Sequence, residues 1–151
     1  MARIYIYTVF IAGVVVAGFV IGMLNLPGEW YGELAKPVFN PPDWLFAPVW
    51  SLLYVLIGWV GARVFLARRI RPRLMLDWAV LLVLNFLWPP AFFGIQLPML
   101  GLAIIILLFL GLLCFVAYAW RHDRVSAVLF LPYLVWVGFA MALNGAIVYL
   151  N

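Results

Sequence analysis

The sequence predicts an all-α integral membrane protein, a bundle of five transmembrane helices with a long first loop acting as a lid over one end. Three observations predict it. Of 151 residues, 70% are hydrophobic and only 9% are charged, which leaves too little polar surface for a domain solvated by water. Five apolar runs, Ile4 to Leu26, Trp44 to Leu66, Leu74 to Gly94, Leu97 to Trp120 and Val125 to Leu150, each reach the roughly 20 residues needed to cross a hydrocarbon core about 30 Å thick. The links between them are short everywhere except over 27–43, so residues 1–151 read as a single membrane domain.

The first run follows Arg3, as a secretory signal would. Its apolar stretch exceeds the roughly 7–15 residues of a signal core and ends without a small-residue cleavage site, so a retained helix is expected. Gly18 and Gly22 form a G-x-x-x-G on it. That motif lets another helix backbone come close, either in a homodimer seam or inside the bundle.

The connection 27–43 is rich in Trp, Tyr, Leu and Pro and poor in Ser. Loops this long are usually functional or disordered, and this composition predicts one that folds back against the bundle. Pro41 and Pro42 block any helix arriving from upstream, and Asp43 is placed to cap the second helix at Trp44. Pro48 is expected to remove one backbone bond there and bend the helix beside Trp50.

The later links, around "RRIRPR", "GIQLP" and "RHDR", are short enough to make sequential helices antiparallel neighbours. Further breaks are written at "WPPAFFG" on the third helix and at Pro132 on the fifth. In lipid such breaks persist only where neighbours satisfy the freed carbonyls or the helix lines a cavity.

Charge is strongly sided. Arg3, Arg63, Arg68, Arg69, Arg71, Arg73, Arg121 and Arg124 fall at one end of the predicted bundle, and Lys36 at the other faces Glu29, Glu33 and Asp43. The net charge of +4 therefore speaks to topology and not to a nucleic-acid partner. Basic segments resist translocation, so the expected location is a bacterial cell membrane with the amino terminus cytoplasmic and the carboxyl terminus outside.

The chemistry that is missing narrows the function. Cys114, the one cysteine, falls in the fourth helix, which excludes an intramolecular disulfide and suits a small buried side chain. His122, the one histidine, lies in the arginine-rich link, away from the lid. Asp77 follows Arg73 by four residues and is expected to pair with it, so hydrolysis by two carboxylates is not supported. There is no Ser-His-Asp set, no phosphate loop and no metal-ligand spacing; neither metal nor cofactor is expected.

What remains is aromatic. Asn85 shares a helix face with Trp88 and Phe92, Trp136 with Ala140 and Asn144, and Trp50 with Tyr54 and Gly58. Amides inside a bilayer are costly and point to function. Three helices thus offer aromatics beside a small or amide residue at the depth the lid can cover, which describes a cavity for a flat apolar ligand.

The stretch "WYGELAKPVFNPPDWLFAPVWSLLY" resembles the region after the first helix in the TspO family of tryptophan-rich sensory proteins, called translocator protein or peripheral benzodiazepine receptor in mitochondria. Trp30, Tyr31, Leu34, Lys36, Pro37, Pro41, Pro42 and Trp44 meet its first pattern, and Pro48, Trp50, Leu53 and Tyr54 the next. Downstream, "LNFLWPPAFFG" and "PYLVWVGFAMALN" resemble its third-helix and fifth-helix patterns. The resemblance implies a homodimer in the lipid bilayer that binds porphyrins or haem-related ligands, sterols, and isoquinoline or benzodiazepine compounds beneath the first loop. It implies ligand contacts by Trp30, Tyr31, Trp50, Tyr54, Asn85, Trp88, Trp136, Ala140 and Asn144.

For bacterial members it also implies light-dependent breakdown of protoporphyrin, with Trp50 and Trp136 as catalytic indoles. A tetrapyrrole sensor or carrier is the leading expectation, with a porphyrin-degrading enzyme and a tetrapyrrole transporter as alternatives. Two positions depart from the pattern. Phe39 stands where many members have Trp, and Tyr149 is followed only by Leu150 and Asn151, without the basic residue of the carboxyl-terminal sterol motif. "VAYAWR", Val116 to Arg121, fits the same loose pattern.

Overall fold

The five runs fold as helices in a computed structural model that describes residues 2–151. They are α1 (Ala2–Leu24), α3 (Phe46–Leu66), α4 (Pro72–Pro89), α5 (Pro98–His122) and α6 (Arg124–Leu150), with α2 (Glu29–Glu33) a short helix in the first connection. Five of the segments are long and apolar enough to cross a membrane, so the protein is a multi-pass membrane protein. The helix α1 packs on α3, α3 on α6, α6 on α5 and α5 on α4, and α4 closes back on α3 and α1. Between them runs an apolar core built on Leu53, Ile57, Leu108, Leu112, Phe115 and Phe130.

One expectation about the start of α3 is corrected. A 3-10 turn, Asp43–Leu45, precedes the α-helix, and Asp43 makes no side-chain cap because it is the first residue inside that turn. Pro48 falls just beyond that turn, where it withholds one backbone donor, and α3 runs on through it to Leu66. The break at "WPPAFFG" does occur: α4 passes into a π-helical segment, Pro90–Gly94. By contrast α6 runs unbroken through Pro132.

Cys114 is exposed on the outside of α5, not buried as expected. Arg73 and Asp77 do pair, at 3.5 Å. The two glycines of α1 part company. A Cβ on Gly18 would fall onto the Tyr54 ring of α3, whereas one on Gly22 would meet nothing within 4 Å. The first half of the motif thus seats α1 on α3, and the second half stays open.

At the arginine-rich end the α5–α6 link is tied to α3. Arg63 donates to Asp123 at 2.7 Å and to the Ser126 hydroxyl at 3.3 Å, while that hydroxyl donates to Asp123 at 2.6 Å. Burial alone would push the Asp123 carboxyl up, yet the bonds from Arg63 and Ser126 hold it below its ordinary value.

Candidate functional site beneath the first connection

The connection folds back over the opposite end, as its composition predicts. Tyr31 is 8% exposed and packs in a second apolar cluster with Phe92, Leu143 and Ile147. Its ring meets the edges of Phe92 and Phe93, and the Lys36 ammonium lies 4.6 Å from its centroid. Burial, and then the charge of Asp43, raise the Tyr31 phenol above its ordinary value, so it stays neutral and can donate, at 3.4 Å, to the Asn40 side chain. Farther along, the Asn151 side chain brackets Ala35, accepting from its N–H and donating to its carbonyl, both at 3.0 Å.

Under this cover lies a cavity of about 40 Å³. Of the nine contacts expected, Tyr31, Trp50, Asn85, Trp88, Trp136, Ala140 and Asn144 line it. Trp30 and Tyr54 do not. Trp30 sits behind the wall, edge-on to Phe92, and Tyr54 is held one turn deeper, below Trp50 and against Gly18. The reason is helical geometry: an interval of four drifts about 40° around the axis, enough here to turn Tyr54 into the α1–α3 contact.

The polar groups of the wall fall into two kinds. Asn144 is satisfied, accepting from the Trp88 indole N–H at 3.1 Å and donating to the Pro98 carbonyl at 2.9 Å. Gly101 makes room for it, since a Cβ there would come within 3.1 Å of the amide oxygen. Asn85 is only half satisfied. Its amide donates to the Tyr133 hydroxyl at 2.8 Å, but its carbonyl oxygen is buried without a partner, and so is the indole N–H of Trp136. Exchanging the Asn85 amide oxygen and nitrogen would only change which end is left over.

Sequence reasoning missed Phe46, Phe93, Ile105, Leu108, Val137, Leu143 and Ile147. Phe93 belongs to the π-helical segment, whose wider turn brings consecutive Phe92 and Phe93 onto the same cavity, against any α-helical face count. Ile105 and Leu108 come from α5, an apolar helix with no residue to mark its inner face. His122 lies at the far end of α5, exposed and stacked on Tyr118, and Pro98 at the other end of that helix bonds the cavity residue Asn144.

Comparison with known proteins gives one family. Residues 10–150 match the model of the TspO/MBR family. The tryptophan-rich protein TspO of Archaeoglobus fulgidus is 44% identical over 126 residues, 81% of this chain and 80% of its own. The tryptophan-rich sensory protein of Cereibacter sphaeroides is 35% identical, covering 86% and 82%. A translocator protein of Ovis aries is 36% identical, covering 82% and 78%.

Proposed function

The chain belongs to the TspO/MBR family, and on that footing we propose that it is a membrane sensor or carrier that binds a flat aromatic ligand of the tetrapyrrole class beneath its first connection. One observation carries this reading. An aromatic-lined cavity keeps one amide oxygen and one indole N–H buried without partners, and each such group costs about 1–3 kcal/mol of desolvation that a hydrogen-bonding guest would offset. An acceptor and a donor on facing helices suit a ring system with polar atoms at its edge, between walls that stack on its faces.

The cavity admits such a guest only by opening. A water needs roughly 10–15 Å³ of this kind of space, so about 40 Å³ takes small molecules and not a tetrapyrrole. The first connection is the movable wall. Its polar ties to the bundle are the exposed bonds between Ala35 and Asn151, and Phe46 and Trp50 sit at the start of α3. No histidine reaches the cavity, so the ligand is held without an imidazole on its centre. Homodimer assembly and a cytoplasmic amino terminus in a bacterial membrane belong to the same proposal.

Titrating the purified protein with protoporphyrin and with haem, in darkness, tests it. Saturable quenching of tryptophan fluorescence by protoporphyrin, weakened in Asn85→Leu, is the expected result. An imidazole-ligated haem spectrum, or quenching indifferent to Asn85→Leu, would overturn the site.

A second reading, light-dependent porphyrin degradation, is favoured by the unpartnered indole of Trp136, with Trp50 on the same cavity. A distinct product formed from bound porphyrin under illumination would support it.

A further inference from the structure

The helix α1 carries a second hollow, away from the covered cavity. Ile4, Tyr7, Thr8, Ile11, Ala12 and Val15 form one face of it and meet Trp59 of α3 around an open groove of about 550 Å³. Tyr7 and Trp59 pack edge to face at 5.4 Å, so the groove has a fixed aromatic flank. From Ile4 to Val15 the helix rises roughly 16 Å, about half of a hydrocarbon core. The groove is therefore one leaflet deep, and it opens toward the arginine-rich end.

Its mouth is basic. Arg3 stands one helical turn before Tyr7 on the same face, is exposed, and belongs to no salt bridge among the described residues. Arg63 stands one helical turn after Trp59 on α3, at the same end. Its guanidinium is held by Asp123 and Ser126 yet remains 29% exposed, so it is oriented with N–H groups to spare. Asp123 offsets the charge of Arg63, which leaves Arg3 as the free charge of the mouth.

We infer that this groove is a binding site for one anionic phospholipid, with an acyl chain along α1 against Trp59 and the phosphate at Arg3, Tyr7 and Arg63. The apolar floor alone would take any lipid. Selection comes from the mouth, because a basic group near the membrane surface adds about 1 kcal/mol for an anionic headgroup, a preference of roughly fivefold.

Native mass spectrometry of the protein in mixed micelles of phosphatidylglycerol and phosphatidylcholine of equal chain length tests this. Wild type should retain one phosphatidylglycerol in preference, and Arg3→Gln should lower that preference about fivefold. Ala12→Phe fills the groove from an exposed position that the fold does not depend on, and should abolish retention without loss of folded protein. Arg121→Gln, at the end of α5, should change nothing. Equal retention of both lipids by wild type would overturn the inference. So would an Ala12→Phe variant that still holds the lipid, or an Arg121→Gln loss as large as that of Arg3→Gln, which would mean general attraction to the basic end.

Discussion

The two ends of the bundle differ in how their central polar groups are paired, although Asp77 Oδ2 at the arginine-rich end also lacks a hydrogen-bond partner, 3.5 Å from Arg73 Nε. At the arginine-rich end Arg63, Asp123 and Ser126 satisfy one another within 3.3 Å, and Ser126 is fully buried. Beneath the first connection, the Asn85 oxygen and the Trp136 indole N–H have no partner, around a cavity. A closed network adds specificity to packing, whereas an open one in a low-dielectric site costs stability until something completes it. The first end is a closed network and the second holds the proposed binding site, so substitutions at the two ends should separate stability from binding.

The largest effect is expected at the closed end. Asp123→Ala strands the Arg63 charge, and breaking such a pair costs about 3–5 kcal/mol when fully buried; partial exposure of Arg63 puts this one at the lower end. Thermal unfolding in detergent should register it, with ligand binding by the surviving folded fraction unchanged. The same carboxyl sets a pH dependence. Because its folded value lies below the ordinary one, its contribution is complete above the ordinary carboxylate range and disappears as pH falls through the folded value. Wild type should lose stability with acid more steeply than Asp123→Asn, and identical acid profiles would show that the network carries no linkage.

Next come the glycines of α1, where the two halves of one motif should diverge. Gly18→Ala drives a methyl onto the Tyr54 ring and should cost about 1–3 kcal/mol, as overpacking does. Gly22→Ala meets open space and should be neutral, or stabilising by up to about 1 kcal/mol through helix propensity. Equal destabilisation would mean that Gly22 also has a close neighbour, which a second copy of the chain would supply. Crosslinking of Gly22→Leu checks this directly: loss of dimer with the fold intact places the seam there.

Much of this contrast is legible in the sequence, for definite reasons. Spanning helices are dictated by apolar length, so all five appear, and the sided arginines mark the closed end before any coordinates do. The amide stripes on α4 and α6 lead to Asn85, Trp136, Ala140 and Asn144 because an amide in a bilayer is costly enough to stand out. Helix starts are less legible, since Asp43 loses its capping role when a 3-10 turn is inserted. Tyr54 is lost to the α1–α3 contact through angular drift, and Phe93 is gained through π-helical winding, neither of which periodicity reveals. Apolar wall residues such as Ile105 and Leu108 are invisible in principle, because α5 is apolar on every side.

At the open end, Ala140→Leu should affect binding more than folding. Ala140 lines the cavity and is 9% exposed, so the added atoms enter existing space and should cost less than the about 1–3 kcal/mol of overpacking in a filled core. Porphyrin affinity should drop by tenfold or more, since about 1.4 kcal/mol is a factor of ten. An unchanged affinity alongside an unchanged melting temperature would place the ligand elsewhere.

The smallest effect is the most discriminating, because its sign differs between stability and binding. Trp136→Phe keeps an aromatic ring beside Phe46 and Phe139, which now lie 5.9 and 5.5 Å from the indole, and it deletes the unpartnered N–H. Removing a buried donor that has no acceptor relieves up to about 1–3 kcal/mol of desolvation, while the smaller ring gives back part of that in lost contact. The variant should therefore melt at or slightly above the wild-type temperature. Porphyrin binding should nevertheless weaken by up to about tenfold, since a hydrogen bond contributes about 0.5–1.5 kcal/mol net. Trp50→Phe is the control. Its indole lies 5.4 Å from the Tyr54 ring, tilted by 32°, and its N–H is not one of the buried unpartnered groups, so no gain in stability is expected. If Trp136→Phe lowers stability and leaves affinity untouched, the indole N–H is not awaiting a ligand, and the contrast between the two ends fails at its most exact point. If it weakens binding as expected but both variants still consume bound porphyrin in light at the wild-type rate, the tryptophans are walls of a binding site and not its oxidisable groups.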